Sequence, residues 1–200
     1  MEPFETFILK RTIFQLVSVI AISLILGGFL LTYHATYNDV ANLDRRADKR
    51  WAQVTVDMQE RYGGIPGLVT SLGTSPESDA MAIGEISRNL SAWETAMKEG
   101  DIRRINSATT NLEASLAVLT MAVKGHPEIE SSPEVQSVLA TIGETGGRLL
   151  ADGSDYNEAI DAYNQEISSF PASLWAFNWG FSPREYFTAR IGGAEPAPVP

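Results

Sequence analysis

The sequence contains no cysteine and only two histidines. The lack of cysteine excludes disulfides, thiolate catalysis and zinc–thiolate sites. A di-iron site in a helical bundle needs a Glu three residues before each His, but Leu31 and Val123 precede His34 and His126. His34 borders an apolar run and His126 lies in a predicted loop, so neither offers the cleft that a Ser-His-Asp triad needs. We therefore predict no catalytic residue, no metal site, no cofactor and no enzymatic activity.

Basic residues are scarce: 15 Lys and Arg against 25 Asp and Glu give a net charge of −10. In residues 1–34 two basic and two acidic side chains cancel, so the whole net charge belongs to residues 35–200. Affinity for nucleic acid comes from clustered Lys and Arg. We therefore predict that nucleic acid is not a partner.

One long apolar run is present, residues 12–31, without a single charged side chain. A helix of this length spans roughly 30 Å, the thickness of a bilayer core. A cleaved signal peptide is the alternative, but its apolar core is shorter, and Tyr33 stands where a cleavage site needs a small residue. We predict a flank at 1–11 and a retained transmembrane anchor at 12–32, with the lipid bilayer as partner.

The flanking charges favour one orientation. Lys10 and Arg11 precede the run, and four basic residues follow it at a distance of 14–19 residues: Arg45, Arg46, Lys49 and Arg50. The side with more Lys and Arg tends to be cytoplasmic. The expectation is a single-pass protein of the cell (inner) membrane with a cytoplasmic domain.

The first predicted helix runs unbroken from the anchor to Tyr62, where Gly63-Gly64 ends it. Its apolar residues recur at helical spacing: Tyr37, Val40, Leu43, Ala47, Trp51, Val54 and Met58. A second helix begins at Ile65-Pro66, is interrupted near Gly73, restarts at Ser75-Pro76-Glu77 and ends near Gly100.

The third predicted helix covers 102–124, and the fourth runs from Ser132-Pro133-Glu134 to Phe170, with HPEIES (126–131) in a loop between them. The pattern predicts an all-α chain: an antiparallel, up-down four-helix bundle at 33–191 whose first helix continues the anchor. The Pro-rich residues 192–200 are predicted to be a disordered tail.

The fourth helix carries a heptad seam of the coiled-coil type, in which Tyr156 and Tyr163 lie on the buried line and Phe170 continues it. Tyr-Asn pairs occur in the sequence at 37–38, 156–157 and 163–164. We hypothesise that Asn38 and Asn164 hydrogen-bond across the bundle and fix its register. The predicted structural seam comprises Tyr37, Asn38, Trp51, Tyr156, Asn157, Tyr163, Asn164 and Phe170.

The motifs YNDV, QERYGGIPGLV, HPEIESS, YNEAIDAYNQEISSFP and GFSPREYF resemble the LemA family in order and spacing. The resemblance implies a bacterial protein with one N-terminal transmembrane helix and an antiparallel helical bundle of unestablished activity. One branch of that family is tied to building magnetosome membranes. Where the family usually has polar residues, this chain has Gly146, Gly147 and Gly153. A glycine inside a helix costs about 1 kcal/mol relative to Ala, so we predict that the seam glycines, Gly146 and Gly153, admit large partner side chains.

Residues 170–187 are rich in aromatic side chains, and bundle topology points this segment back at the bilayer. Trp and Tyr favour the headgroup layer, but the rings could equally cap the core of the bundle or meet a protein partner. The candidate contact residues are Trp175, Phe177, Trp179, Phe181, Tyr186 and Phe187.

These features predict a non-enzymatic scaffold or organiser of a membrane process, with membrane or organelle biogenesis implied by the resemblance. Its expected partner is an unidentified membrane or membrane-proximal protein. Small residues four apart in the anchor, such as Ser23 and Gly27, leave a homo-oligomer open. The alternative is a sensor or ligand-binding bundle that signals through a separate partner.

Overall fold

The computed structural model describes residues 2–74 and 80–194, with side chains from residue 14 onward. Its helices are α1 (Glu2–Tyr62), α2 (Ile65–Gly73), α3 (Ala80–Glu99), α4 (Ile102–Lys124), α5 (Pro127–Glu130) and α6 (Pro133–Ser168), followed by a 3-10 turn, Ala172–Leu174. In the described ranges the β-structure is confined to one isolated bridge, between Ile191 and Ala194. The predicted all-helical class is confirmed.

Helix ends fall where capping chemistry places them. α1 stops at Tyr62 and the N–H of Gly63 donates to the carbonyl of Gln59 at 2.9 Å. α4 begins after Asp101, whose carboxylate accepts from the N–H groups of Arg103 and Arg104 at 3.0 and 3.3 Å. Such N-caps satisfy donors that have no partner within the helix. The predicted ends of the first helix and both ends of the third are confirmed.

Four other predicted features have different outcomes. The restart at Ser75-Pro76-Glu77 and residues 195–200 of the predicted tail lie outside the described residues, whereas residues 192–194 of that tail belong to a turn closed by the bridge between Ile191 and Ala194. The HPEIES stretch, predicted as a loop, contains the short helix α5, because Pro127 suits a first helical position and Ile129 is buried beneath it. α6 ends at Ser168, two residues before the predicted Phe170.

The chain divides into two compact units: unit 1 holds residues 1–42 and 166–182, and unit 2 holds 43–165 and 183–200. The large apolar core belongs to unit 2 and draws on α1, α2, α3, α4, α6 and residues 187–191. In unit 1, α1 carries a stretch that is long and apolar enough to cross a membrane by length and composition. Its large side chains are exposed, as at Phe14 (73%) and Leu31 (74%).

A buried ion pair connects three helices of unit 2. Arg61 of α1 donates through Nε and Nη2 to both carboxylate oxygens of Glu113 on α4, at 2.6 and 2.9 Å, and also to the carbonyl of Ile142 on α6. Tyr62 donates to the same carboxylate at 2.7 Å. Burial, with the charge of Glu113, raises the pKa of Tyr62 well above its usual value. The network fixes the facing helices because each buried charge keeps its partners.

A second polar group joins α1 and α6. Arg148 donates through Nε to Asp57 at 2.9 Å and pairs with Glu60. A hydrogen bond with Asp57, followed by burial and the charge on Asp57, raises the pKa of Asp152 to about 6. Oδ2 of Asp57 is buried and has no hydrogen-bond partner among the described residues.

The seam glycines admit large neighbours as the sequence predicts. A Cβ on Gly146 would lie 3.1 Å from Nη1 of Arg61, and one on Gly153 would lie 2.7 Å from Cδ1 of Phe187. The same space at Gly64, 2.5 Å from Cγ1 of Val138, lets the turn after α1 pack closely on α6. Glycine is used at these positions because a side chain would displace the neighbour.

Candidate membrane-interface site

A cluster of aromatic rings lies within unit 1, where the apolar stretch of α1 ends. Trp175 contacts Phe29 and Tyr33 with centroids 5.6 and 5.4 Å apart, and Trp179 contacts Tyr33 and Tyr37 at 5.0 and 5.3 Å. Most of these pairs are edge-to-face, the geometry that ring quadrupoles favour. The rings of Trp175 and Trp179 therefore pack against the first helix at the end of its apolar run.

The indole of Trp179 is fixed by a hydrogen bond as well as by packing. Its Nε1–H donates to Oη of Tyr33 at 2.7 Å. The 3-10 turn and the following turns hold this segment in place, with Trp179 N–H donating to the carbonyls of Trp175 and Ala176. Rings with an apolar body and a satisfied polar tip suit the boundary between lipid and water.

Three large apolar side chains of the same segment are exposed. Phe170, Leu174 and Phe177 are exposed by 81%, 59% and 89%. Residues 167–182 contain no charged side chain. An uncharged segment that combines exposed apolar groups with tryptophans, beside the end of an apolar helix, has the composition of a membrane-interface element.

The structure divides the six candidate contact residues. Trp175, Phe177, Trp179 and Phe181 belong to unit 1, with Phe181 against Tyr37 at 5.9 Å. Tyr186 is half-buried and Phe187 is 3% exposed, and both pack in the core of unit 2. Phe187 fills the space over Gly153 and contacts Trp51 at 6.2 Å. Its position matches the core-capping alternative.

Residues 183–191, here called the strap, form a segment without regular secondary structure apart from the bridge at Ile191. Three asparagines each form two hydrogen bonds with its main chain. Asn164 accepts from the N–H of Arg184 at 2.9 Å and donates to its carbonyl at 3.0 Å. Asn157 does the same with Phe187 at 2.7 and 2.8 Å. Asn106 donates to the carbonyl of Tyr186 and accepts from the N–H of Thr188.

Other side chains complete this grip on the strap. The Tyr156 hydroxyl donates to the carbonyl of Glu185 at 3.0 Å, Thr110 accepts from the N–H of Arg190 at 3.1 Å, and Glu113 accepts from the N–H of Gly192 at 2.9 Å. Side chains thus take the place of a β-ladder and satisfy main-chain polar groups between residues 184 and 192.

Arg184 fixes the start of the strap. Its guanidinium pairs with Asp44 and Asp48 of α1, each at 2.7 Å, and lies 5.5 Å from the ring centroid of Tyr163. Two carboxylates and an aromatic face form a site for one cation.

The predicted seam residues have different environments. Tyr156 and Tyr163 are buried to within 2% exposure, and Trp51 contacts Tyr156 at 5.1 Å. Tyr37 is 41% exposed, Asn38 is exposed and Phe170 is 81% exposed. Asn164 bonds the strap backbone, and the pairing of Asn38 with Asn164 stays a prediction.

Sequence reasoning missed the role of the asparagines next to the seam. Helical periodicity places Asn157 and Asn164 at the edge of the buried stripe. It does not identify their partner, because the strap has no regular secondary structure and so no hydrophobic periodicity. The available signal was the seven-residue repeat of Tyr-Asn, because two identical amides on one helix face can hold two points of an extended chain.

Titratable groups offer no further constellation in the part of the chain described. It contains no group of three His, Cys, Asp or Glu side chains suited to a metal ion. The imidazole Nδ1 of His126 lies 2.8 Å from the carbonyl of Ala122, within hydrogen-bonding distance at the end of α4.

The fold and the interface site together define a class: a helical protein with one helix suited to crossing a membrane and an aromatic, uncharged element beside it. The chain belongs to the LemA family, whose model matches residues 50–199. Among its relatives are two proteins of Paramagnetospirillum magneticum, Magnetosome protein MamQ 2 and Magnetosome protein MamQ 1. Each is 29% identical over 196 residues, which cover 86% of this chain and 72% of the relative. Neither the family description nor these names denote an enzyme.

Proposed function

We propose that this protein is a single-pass, non-enzymatic membrane scaffold whose segment 170–181 lies in the headgroup layer. The observation that carries the proposal is the packing of Trp175 and Trp179 on Phe29 and Tyr33, at the end of the apolar stretch of α1. If that stretch spans the bilayer, its contacts hold these rings near the surface of the membrane. Phe177 and its exposed neighbours then contact acyl chains instead of water.

We further propose that the helices form a four-helix bundle that binds a protein partner at the membrane. In this proposal, the four members of an antiparallel up-down bundle are α1, α2 with α3, α4, and α6. A bundle on one anchor suits binding to a membrane or membrane-proximal protein. The basic residues near 45–50 support a cytoplasmic bundle at the cell (inner) membrane. The names of the MamQ relatives support a role in organising a membrane or organelle.

The absence of cysteine allows a direct test of depth. The full chain with Phe177→Cys is spin-labelled and reconstituted in phosphatidylcholine bilayers. A second sample carries the label at Ser91→Cys, on the exposed face of α3. Oxygen concentrates in lipid, whereas a water-soluble nickel chelate stays in water. We therefore expect oxygen to relax the label at 177 more strongly than the chelate does, and the chelate to relax the label at 91 more strongly than oxygen does. Equal access of the nickel chelate to both labels would contradict an interfacial segment.

Side and partner need separate measurements. A membrane-impermeant maleimide added to intact cells should leave Ser91→Cys unlabelled if the bundle is cytoplasmic, and should label it after lysis. Labelling before lysis would reverse the orientation. Crosslinking in intact membranes with mass spectrometry should recover a reproducible protein partner, because a scaffold acts through such contacts.

One observation favours the sensor alternative. An open groove of about 660 Å³ lies between α3 and α4 and is lined largely by small and polar side chains. A purified chain whose unfolding temperature rises with a metabolite, with no partner recovered by crosslinking, would support a sensor over a scaffold.

A further inference from the structure

The strap lies in a groove that is built as a peptide-binding site. Side chains of α4 and α6 form nine hydrogen bonds with the main chain of residues 184–192. α1 adds Asp44 and Asp48, which pair with the side chain of Arg184. Peptide grooves of this kind gain affinity from main-chain hydrogen bonds and specificity from pockets for alternate side chains.

The pockets of this groove select a defined pattern. Asp44 and Asp48 receive a cation at Arg184, and the space over Gly153 receives an aromatic ring three residues later. Ala189 and Ile191 are both 1% exposed, so a small and then an aliphatic residue follow. The site therefore suits an extended peptide of the form Arg-x-x-Phe-x-Ala-x-Ile.

We propose that the groove accepts the strap of a second copy of this chain, so that two copies exchange residues 183–191. A second copy carries the matched pattern, and every contact made within one chain is reproduced between chains, which makes exchange of an identical element a low-cost route to a dimer. The strap belongs to no helix, and the bridge at Ile191 is made with Ala194 of the same terminal segment, so exchange moves the segment as a unit and refills the same core positions with Phe187, Ala189 and Ile191 of the other copy. Interactions in unit 2 alone carry this inference, which is independent of the membrane proposal.

The contact between Glu185 and Arg103 provides the test. Their side chains pair at 3.3 Å and are exposed by 53% and 78%, so cysteines at these positions disturb neither the groove nor the core. A tagged full chain with Glu185→Cys is expressed together with an untagged full chain with Arg103→Cys, and the membranes are treated with a short bismaleimide. The double variant in one chain reports the contact within a single copy.

Exchange predicts a crosslinked product of twice the 21.8 kDa chain mass in the mixed sample, above the amount given by either single variant. Adding Asn157→Ala to the Arg103→Cys copy should lower that product, whereas adding Gln136→Ala, which removes an exposed amide of the same helix, should leave it unchanged. A double variant that crosslinks within one chain, beside a mixed sample with no more dimer than the single variants, would overturn the proposal. Dimer that is insensitive to Asn157→Ala would do the same, because it would come from another surface.

Discussion

The two halves of the aromatic stretch 170–187 differ in what their rings and main chain contact. In unit 1, Phe170 and Phe177 are more than four-fifths exposed, and the main chain forms its own turns. In unit 2, Phe187 is 3% exposed and the main chain bonds to asparagine side chains. Segments of similar composition therefore have different roles: the half in unit 1 exposes apolar side chains, and the half in unit 2 completes the core.

The largest difference in the free energy of unfolding should come from replacing one phenylalanine of each half, Phe187 and Phe177, with alanine. Phe187→Ala removes a buried ring over Gly153 and should lower the free energy of unfolding by about 4 kcal/mol. Phe177→Ala, at an exposed position, should change it by less than about 0.5 kcal/mol. Urea unfolding of both full chains in detergent measures this, and equal losses would remove the distinction between the two halves.

The next largest loss of stability should come from removing an asparagine that hydrogen-bonds the main chain of the strap. Asn157→Ala leaves the buried N–H and carbonyl of Phe187 without partners and should cost about 3 kcal/mol. Gln136→Ala is the matched control, because it removes an exposed side-chain amide from the same helix, α6. Hydrogen exchange at the Phe187 amide should accelerate only in the first variant; slow exchange in Asn157→Ala would show that another group holds the strap.

Two glycines of α6 should respond with opposite signs. Gly153→Ala forces a methyl against Phe187 and should cost about 2 kcal/mol. Gly147→Ala meets nothing within 4 Å and should stabilise the helix by about 1 kcal/mol. Thermal unfolding midpoints test the pair, and a gain in both variants would mean that Phe187 does not need the space over Gly153.

The smallest effect concerns pH and falls in unit 2. Because the pKa of Asp152 is raised from 3.8 to about 6, the folded chain holds a proton that the unfolded chain releases. Stability from this group therefore falls as pH rises between these values and stays lost above them. Asp152→Asn should remove this dependence and be the more stable chain at pH 7, with Glu158→Gln as control. Urea midpoints at pH 5 and 7 measure this dependence, and an unchanged difference between the two midpoints in Asp152→Asn would show that another group causes it.

The fold was largely predictable because local chemistry sets it. Gly63-Gly64 ends α1 and Asp101 caps α4, so their boundaries follow from neighbouring residues. α5 was missed because the same Pro127 that ends one helix can begin another. The strap was missed because it has no periodicity: its order comes from asparagines in α4 and α6, up to 82 residues away.

For the candidate interface, the sequence predicted an aromatic-rich segment but not which of its rings are exposed. Sequence grouped Phe187 with Phe177 because both belong to one aromatic run, and only burial separates them. Gly153 carried the missing information, since a glycine at a seam position indicates that a large ring is accommodated there.

The asparagine contacts with the strap have a consequence for how its sequence can change. Glu185, Thr188 and Arg190 are exposed, and their hydrogen bonds to the groove come from the main chain. Any residue other than proline at Thr188 or Arg190 would present the same N–H. The strap is therefore a strip of surface that can acquire new side chains, and with them new recognition, while the fold beneath it stays the same.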